Sequence, residues 1–128
     1  MTDILIVEDN PVNRKLISLL LNRAGYSFAV AENGVQALEQ LDKTDFKLVL
    51  MDMMMPVMNG YEATKAIRAH AKHKALPVIA LTANAMRGEE EKCREAGCND
   101  YIAKPYSKDR ILAAIGSLLP KPSTPTVG

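Results

Sequence analysis

The chain has 128 residues, a length typical of one domain. Its 16 basic and 15 acidic residues give a net charge of +1, which argues against binding to nucleic acid or to an anionic membrane surface. No apolar run approaches the roughly 18 residues that a membrane span needs. The two cysteines and the absence of a secretory signal predict a protein of the reducing cytoplasm, without structural disulfides.

Five short apolar runs predict β-strands. They are continuous and mostly aliphatic, and they do not alternate with polar residues as half-exposed antiparallel strands do. We therefore expect all five to be parallel strands buried on both faces. The runs are residues 4–7, 28–30, 48–51, 78–81 and 101–103.

The segments between these runs have the spacing of amphipathic helices. Asn10 is a typical N-cap for the first helix, and Gly25 is typical of its C-terminal end. His70 and His73, flanked by lysines, indicate a solvated helix end. We expect four apolar stripes to be buried and a mostly polar fourth helix over residues 86–96. The stripes are Val12, Leu16, Leu19 and Leu20; Val35, Leu38 and Leu41; Ala63, Ile67 and Ala71; and Ile111, Leu112, Ile115, Leu118 and Leu119.

Strict alternation of five strands and five helices predicts an α/β fold, with a doubly wound parallel sheet covered by helices on both faces. We expect the strand order 2-1-3-4-5, in which the first and third strands are neighbours. Residues 1–119 should form the domain. Residues 120–128 contain three prolines and are typical of a flexible tail or linker.

Polar residues follow the predicted strands at the edge where such sheets bind ligands. Glu8 and Asp9 follow the first strand and Asp52 follows the third, so the three carboxylates should share one pocket. Crowded carboxylates need a cation, and Mg²⁺ suits oxygen ligands. Thr82 and Lys104 follow the fourth and fifth strands. Together these groups are what phosphoryl transfer to a carboxylate requires.

Five motifs occur in order along the chain: ILIVEDN at 4–10, LVLMDM at 48–53, MPVMNG at 55–60, IALTA at 79–83 and YIAKP at 101–105. With these motifs the chain resembles the receiver domains of two-component response regulators, which have a flavodoxin-like fold. Residues 8–13 are most similar to stand-alone cell-cycle receivers and to receivers of hybrid histidine kinases. Each motif is weak alone, but the series covers nearly the whole chain.

The resemblance implies a role for each residue of the acidic pocket. Asp52 would be the phosphoacceptor, which receives its phosphoryl group from a histidine kinase or a histidine phosphotransfer protein. Lys104 would be the invariant lysine of the family. The implied ligands of Mg²⁺ are Glu8, Asp9, Asp52 and the backbone carbonyl of Met54.

The resemblance also implies a conformational switch and an output surface. Thr82 would be the switch hydroxyl, and Tyr101 the aromatic residue that turns inward with it. The surface over the fourth helix, fifth strand and fifth helix would bind a downstream protein partner, with Met86 and Tyr106 available for contact. We expect a monomer or a weak dimer.

Three alternative functions are less consistent with the sequence. A phosphate-independent binding module is disfavoured because the acidic residues, the hydroxyl and the lysine are all present. A phosphatase acting through an aspartyl phosphate often has a second acid two residues after the nucleophile, where this chain has Met54. A nucleotide-binding enzyme would need a glycine-rich phosphate loop, which the sequence lacks. Met54 also predicts slow loss of the phosphoryl group.

Overall fold

A computed structural model describes residues 2–55, 57–82, 88–103 and 107–119. In that part of the chain, five strands and five α-helices alternate, and a short 3₁₀ helix follows the third α-helix. In chain order the elements are β1 (Ile4–Val7), α1 (Pro11–Ala24), β2 (Phe28–Ala31), α2 (Gly34–Lys43), β3 (Leu48–Asp52), α3 (Gly60–Ala69), the 3₁₀ helix (Ala71–His73), β4 (Val78–Thr82), α4 (Glu89–Ala96), β5 (Asp100–Ala103) and α5 (Lys108–Leu118).

The strands form one parallel sheet in the order β2-β1-β3-β4-β5, which confirms the predicted topology. The register aligns the carboxyl ends of the central strands. Val7 of β1 is opposite Met51 of β3, and Asp52 is opposite Leu81 of β4. The residues that follow these positions, Glu8 and Thr82, therefore reach the same edge of the sheet as Asp52.

Each face of the sheet has its own apolar core, because neighbouring strand residues point to opposite faces. Leu5 and Met51 pack on the side of α2, α3 and α4, whereas Ile6 and Leu50 pack on the side of α1 and α5. Helices thus cover both faces, as predicted. The prediction that every strand is buried on both faces fails at the edge strand β2. Val30 of β2 is exposed, because an edge strand has a neighbouring strand on one side only.

The predicted buried face of α1 is wrong. Ile17 and Leu21 are fully buried, while most members of the predicted stripe face outward. The exposed members are Val12 (73%), Leu16 (46%) and Leu19 (48%). The apolar residues of this helix form a band wider than one stripe, so spacing alone does not determine which part of the band is buried; packing on the sheet does. Val35 of α2 is also exposed.

Two helices differ from their prediction at one end. α3 ends at Ala69, so that Ala71 is exposed, and His73, predicted to be solvated, is buried. α4 begins at Glu89 because Gly88 has φ = 100°, a left-handed conformation that does not continue a helix. The polar helix is therefore shorter than predicted.

The predicted caps of α1 are confirmed, and α5 is capped as well. Asn10 accepts hydrogen bonds from the amides of Val12 (2.9 Å) and Asn13 (3.3 Å), and Gly25 ends α1 with φ = 88°. Ser107 caps α5. Residues 120–128, the predicted tail, lie outside the described residues. No helix in the described ranges is long and apolar enough to cross a membrane.

Candidate functional site

Three carboxylates meet at the carboxyl end of the sheet. Glu8 follows β1, Asp9 comes next in the chain, and Asp52 is the last residue of β3. One oxygen from each lies within 4.8 Å of the other two. Glu8 is fully buried and Asp52 is 1% exposed, whereas Asp9 is exposed. The structure thus brings together the three acids that the sequence placed in one pocket.

Arg14 of α1 holds the backbone of this acidic segment. Its guanidinium Nη1 donates to the carbonyl oxygens of Glu8 and Asp9, both at 2.9 Å. Its Nη2 lies 3.4 Å from a carboxylate oxygen of Glu32, after β2. Sequence reasoning missed this residue, although an arginine in the first turn of a helix that follows an acidic pair is a signal that could have found it.

The loop after β3 closes tightly around Asp52. The amide of Met54 donates to the Asp52 carboxylate at 3.1 Å, which fixes the orientation of that side chain. The amide of Gly60, at the start of α3, donates to the carbonyl of Met53 at 3.2 Å. A Cβ atom on Gly60 would lie 2.5 Å from the Asp52 carbonyl oxygen, so this close approach requires glycine.

The same loop carries exposed apolar side chains. Met54 is 64% exposed, and Val57 is also exposed. Val57 has φ = 71°, a strained conformation for a β-branched residue, which persists only where the surrounding structure imposes it. The backbone at Val57 is therefore constrained by its surroundings.

Thr82 lies at the same edge of the sheet and is buried at the end of β4. Its hydroxyl donates to the carboxylate of Glu89, in the first turn of α4, at 3.4 Å. The hydroxyl of Tyr61, on α3, donates to the same carboxylate oxygen. Sequence reasoning placed Glu89 in an acidic first turn of its helix but did not connect it with Thr82 or Tyr61, because their contact depends on how α3 and α4 pack on the sheet.

Tyr101 lies in β5, opposite Ala80 of β4, and packs against the apolar core on the α2, α3 and α4 side of the sheet. Three other predicted functional residues, Lys104, Met86 and Tyr106, lie outside the described residues.

The donor set fits a hard divalent cation. The three acids offer only oxygen atoms, and two of them are buried, where like charges repel strongly. Mg²⁺ is commonly held by one or two carboxylates together with waters and phosphate oxygens. The described residues of this pocket therefore match the chemistry of a magnesium site.

Comparison with known proteins places the chain in a family. The response regulator receiver domain family matches residues 4–116, and the chain belongs to it. It is 40% identical over 116 residues to the polar-differentiation response regulator DivK of Brucella anthropi, which covers 91% of this chain and 94% of that protein. The chain is also 44% identical over 120 residues to hybrid signal transduction histidine kinase B of Dictyostelium discoideum. That match covers 85% of this chain but only 6% of the kinase.

Solved structures of similar proteins agree with this assignment. The receiver domain of a sensor histidine kinase from Pseudomonas aeruginosa, with a magnesium ion coordinated in its active site cleft, has a TM-score of 0.85 and 40% identity over 91% of this chain and 96% of that one. The receiver domain of Ssk1 from Saccharomyces cerevisiae, in complex with the histidine phosphotransfer protein Ypd1, also has a TM-score of 0.85, with 30% identity over 91% and 88% of the two chains.

Proposed function

We propose that this chain is a phosphorylation-dependent signalling module in which Asp52 accepts a phosphoryl group from a histidine phosphodonor. The observation that carries the proposal is the burial of Asp52 within 4.8 Å of the oxygens of Glu8 and Asp9 at the carboxyl edge of the sheet. Membership of the receiver family supports the same function. A cytoplasmic location stays a prediction from the sequence.

The reaction transfers one phosphoryl group. A carboxylate oxygen of Asp52 attacks phosphorus, the bond from phosphorus to the imidazole nitrogen of the donor breaks, and the electron pair of that bond returns to the nitrogen. The Met54 amide holds the attacking carboxylate in one orientation, which removes part of the entropic cost of the reaction. Thr82 would donate to a phosphoryl oxygen, and Lys104 would supply positive charge.

Magnesium fits this reaction. Its ligands would be Glu8, Asp9, Asp52 and the backbone carbonyl of Met54, of which the three carboxylates are already close together. When bound, Mg²⁺ neutralises charge on the transferring phosphoryl group. The similar receiver domain from Pseudomonas aeruginosa holds magnesium in its active site cleft, which supports this proposal.

The phosphodonor is a histidine kinase or a histidine phosphotransfer protein, the class of partner that the Ypd1–Ssk1 complex contains. Such a donor must bring its histidine to Asp52, so its surface must lie beside the acidic pocket. The exposed apolar side of α1 begins there, at Val12, and continues through Leu16 and Leu19. An exposed apolar patch of this kind is typical of a protein-binding surface.

The output is a change in affinity for a downstream protein at the surface formed by α4, β5 and α5. Thr82 lies on β4, the strand next to that of Asp52, and Tyr101 lies on β5, the strand beyond it, so the two residues would connect Asp52 with this surface. Two discrete packings of such residues are sufficient to carry a switch.

The proposal is tested by intact mass spectrometry of the wild type and of Asp52→Ala after incubation with acetyl phosphate and Mg²⁺. We expect the wild type to gain the mass of one phosphoryl group and Asp52→Ala to gain none. Equal uptake by both proteins contradicts the assignment of Asp52. No uptake by the wild type supports the alternative of a phosphate-independent binding module.

A further inference from the structure

The carboxylate of Glu89 connects three elements behind the acidic pocket. It stands in the first turn of α4, accepts a hydrogen bond from the Thr82 hydroxyl of β4 at 3.4 Å, and accepts another from the Tyr61 hydroxyl of α3. Glu89 is only partly exposed, so solvent competes less with these bonds than at a free surface. The switch hydroxyl is thus held by a charged group on the helix that begins the proposed output surface.

A hydroxyl has a single proton to donate. In the structure Thr82 donates it to Glu89, whereas a phosphoryl group on Asp52 requires the same proton for one of its oxygens. We propose that Glu89 is a positioning residue that retains the Thr82 hydroxyl while Asp52 is unphosphorylated and releases it on phosphorylation. This inference rests on the proposed function, because it assumes that Asp52 carries the phosphoryl group.

Tyr61 allows Glu89 to release Thr82 without losing every donor. Burial, together with the hydrogen bond to Glu89, raises the pKa of Tyr61 well above its usual value, so this hydroxyl stays protonated and continues to donate. When the Thr82 hydroxyl turns from Glu89 to the phosphoryl group, Glu89 therefore loses one hydrogen bond and the phosphoryl group gains one. The added negative charge on Asp52 favours the same exchange, because it repels the Glu89 carboxylate.

The exchange has a consequence for the output surface. While Thr82 donates to Glu89, the N-terminal turn of α4 is tied to the end of β4. Once Thr82 turns to the phosphoryl group, that tie is broken, and α4 remains linked to α3 through Tyr61. Phosphorylation at Asp52 is thereby converted into a change at the start of α4.

The test compares Glu89→Ala with Glu91→Ala, which removes the same charge from an exposed position in the same helical turn. We expect Glu89→Ala to be phosphorylated by acetyl phosphate roughly fivefold faster than the wild type, the worth of one ordinary hydrogen bond. Without phosphodonor, its Thr82 methyl resonance should shift toward that of the phosphorylated wild type. Glu91→Ala should behave as the wild type. Tyr61→Phe, which removes only the second donor to Glu89, should change the rate in the opposite direction, because the release of Thr82 would then leave Glu89 without either of these donors.

A double-mutant cycle separates the Thr82 contact from a general effect of Glu89 on the helix. In a Thr82→Val background, Glu89→Ala should no longer change the rate. Equal rates for Glu89→Ala and Glu91→Ala, or an undiminished effect in the Thr82→Val background, overturns the inference. An unchanged Thr82 methyl resonance in phosphodonor-free Glu89→Ala overturns it as well. Phosphoryl uptake by Asp52→Ala would instead contradict the proposed function, so the two failures are distinguishable.

Discussion

Met54 is the residue whose side chain bears most directly on the lifetime of the phosphorylated state. Its amide donates a hydrogen bond to the Asp52 carboxylate, while its side chain is largely exposed. Hydrolysis of an aspartyl phosphate needs a water held in line behind phosphorus. A thioether is a poor hydrogen-bond partner for that water, and its apolar surface excludes water from the group. We therefore expect the phosphoryl group to be lost slowly.

Met54→Asn tests this prediction. The amide can orient the attacking water, so we expect loss of the phosphoryl group to be about tenfold faster than in the wild type. Met54→Leu keeps an apolar side chain of similar size and should lose the group as slowly as the wild type. The rate is measured on purified, phosphorylated protein after the phosphodonor is removed. Loss within seconds from the wild type, or no acceleration in Met54→Asn, shows that Met54 does not control hydrolysis.

At the scale of elements, the connection from β3 to α3 determines where Asp52 sits. Its turn into α3 depends on Gly60, whose Cα approaches the backbone of Asp52 and Met53 too closely for any side chain. Asn59 caps α3 and forms a capping box with Glu62, so the helix start is anchored on the other side as well. The loop therefore has little freedom to relax around a larger residue.

Gly60→Ala is expected to lower the free energy of unfolding by about 2 kcal/mol, because backbone atoms must shift to admit the methyl group. The same shift moves the Asp52 carboxylate, so Mg²⁺ binding should weaken. Gly116→Ala is the matched control: in α5, a Cβ atom on Gly116 meets no heavy atom within 4 Å. It should raise the free energy of unfolding by about 0.5–1 kcal/mol. Urea denaturation measures both, and a neutral Gly60→Ala would show that the loop is not tightly constrained.

At the scale of the whole molecule, His73 predicts how stability depends on pH. Burial, and then the nearby charges of His70 and Lys72, lowers the pKa of His73 below its ordinary 6.5. Its Nε2 is buried and has no hydrogen-bond partner among the described residues. The unfolded chain therefore binds a proton at this residue more readily than the folded chain does. The neutral His73 side chain therefore does not lower stability above about pH 6.5, but the free energy of unfolding decreases as the pH falls below that value.

Urea denaturation at several pH values tests this prediction. We expect the free energy of unfolding of the wild type to fall between about pH 6.5 and pH 5, and His73→Leu to lose much less over the same interval. His70→Leu removes one of the charges that lower the pKa of His73, so its loss should be smaller than that of the wild type but larger than that of His73→Leu. Asp3 affects stability in a separate, more acidic pH window. Burial raises the pKa of its carboxyl group, but hydrogen bonds from Ser27 and the charge of Lys47 lower this pKa to below 3.8 overall. Identical pH profiles for the wild type and His73→Leu contradict the prediction.

The sheet and the acidic pocket could be predicted from sequence because both depend on local pattern and on general rules of topology. Short aliphatic runs locate the strands, and the doubly wound order brings Glu8 and Asp52 to one edge. The rotation of α1 could not be predicted, because its apolar residues form a band wider than one stripe and only packing distinguishes Ile17 from Leu16. The contact between Thr82 and Glu89 could not be predicted either, since it depends on the placement of α4.

The most direct test of the proposed function identifies the phosphorylated atom itself. Borohydride reduces an aspartyl phosphate to homoserine, so the modified residue can be located by peptide mass spectrometry after the wild type is incubated with acetyl phosphate and Mg²⁺. The buried position of Asp52 among the oxygens of Glu8 and Asp9 predicts homoserine at position 52 alone. Reduction at position 9, or at any other aspartate with position 52 unchanged, would contradict the assignment of Asp52 as the phosphoacceptor.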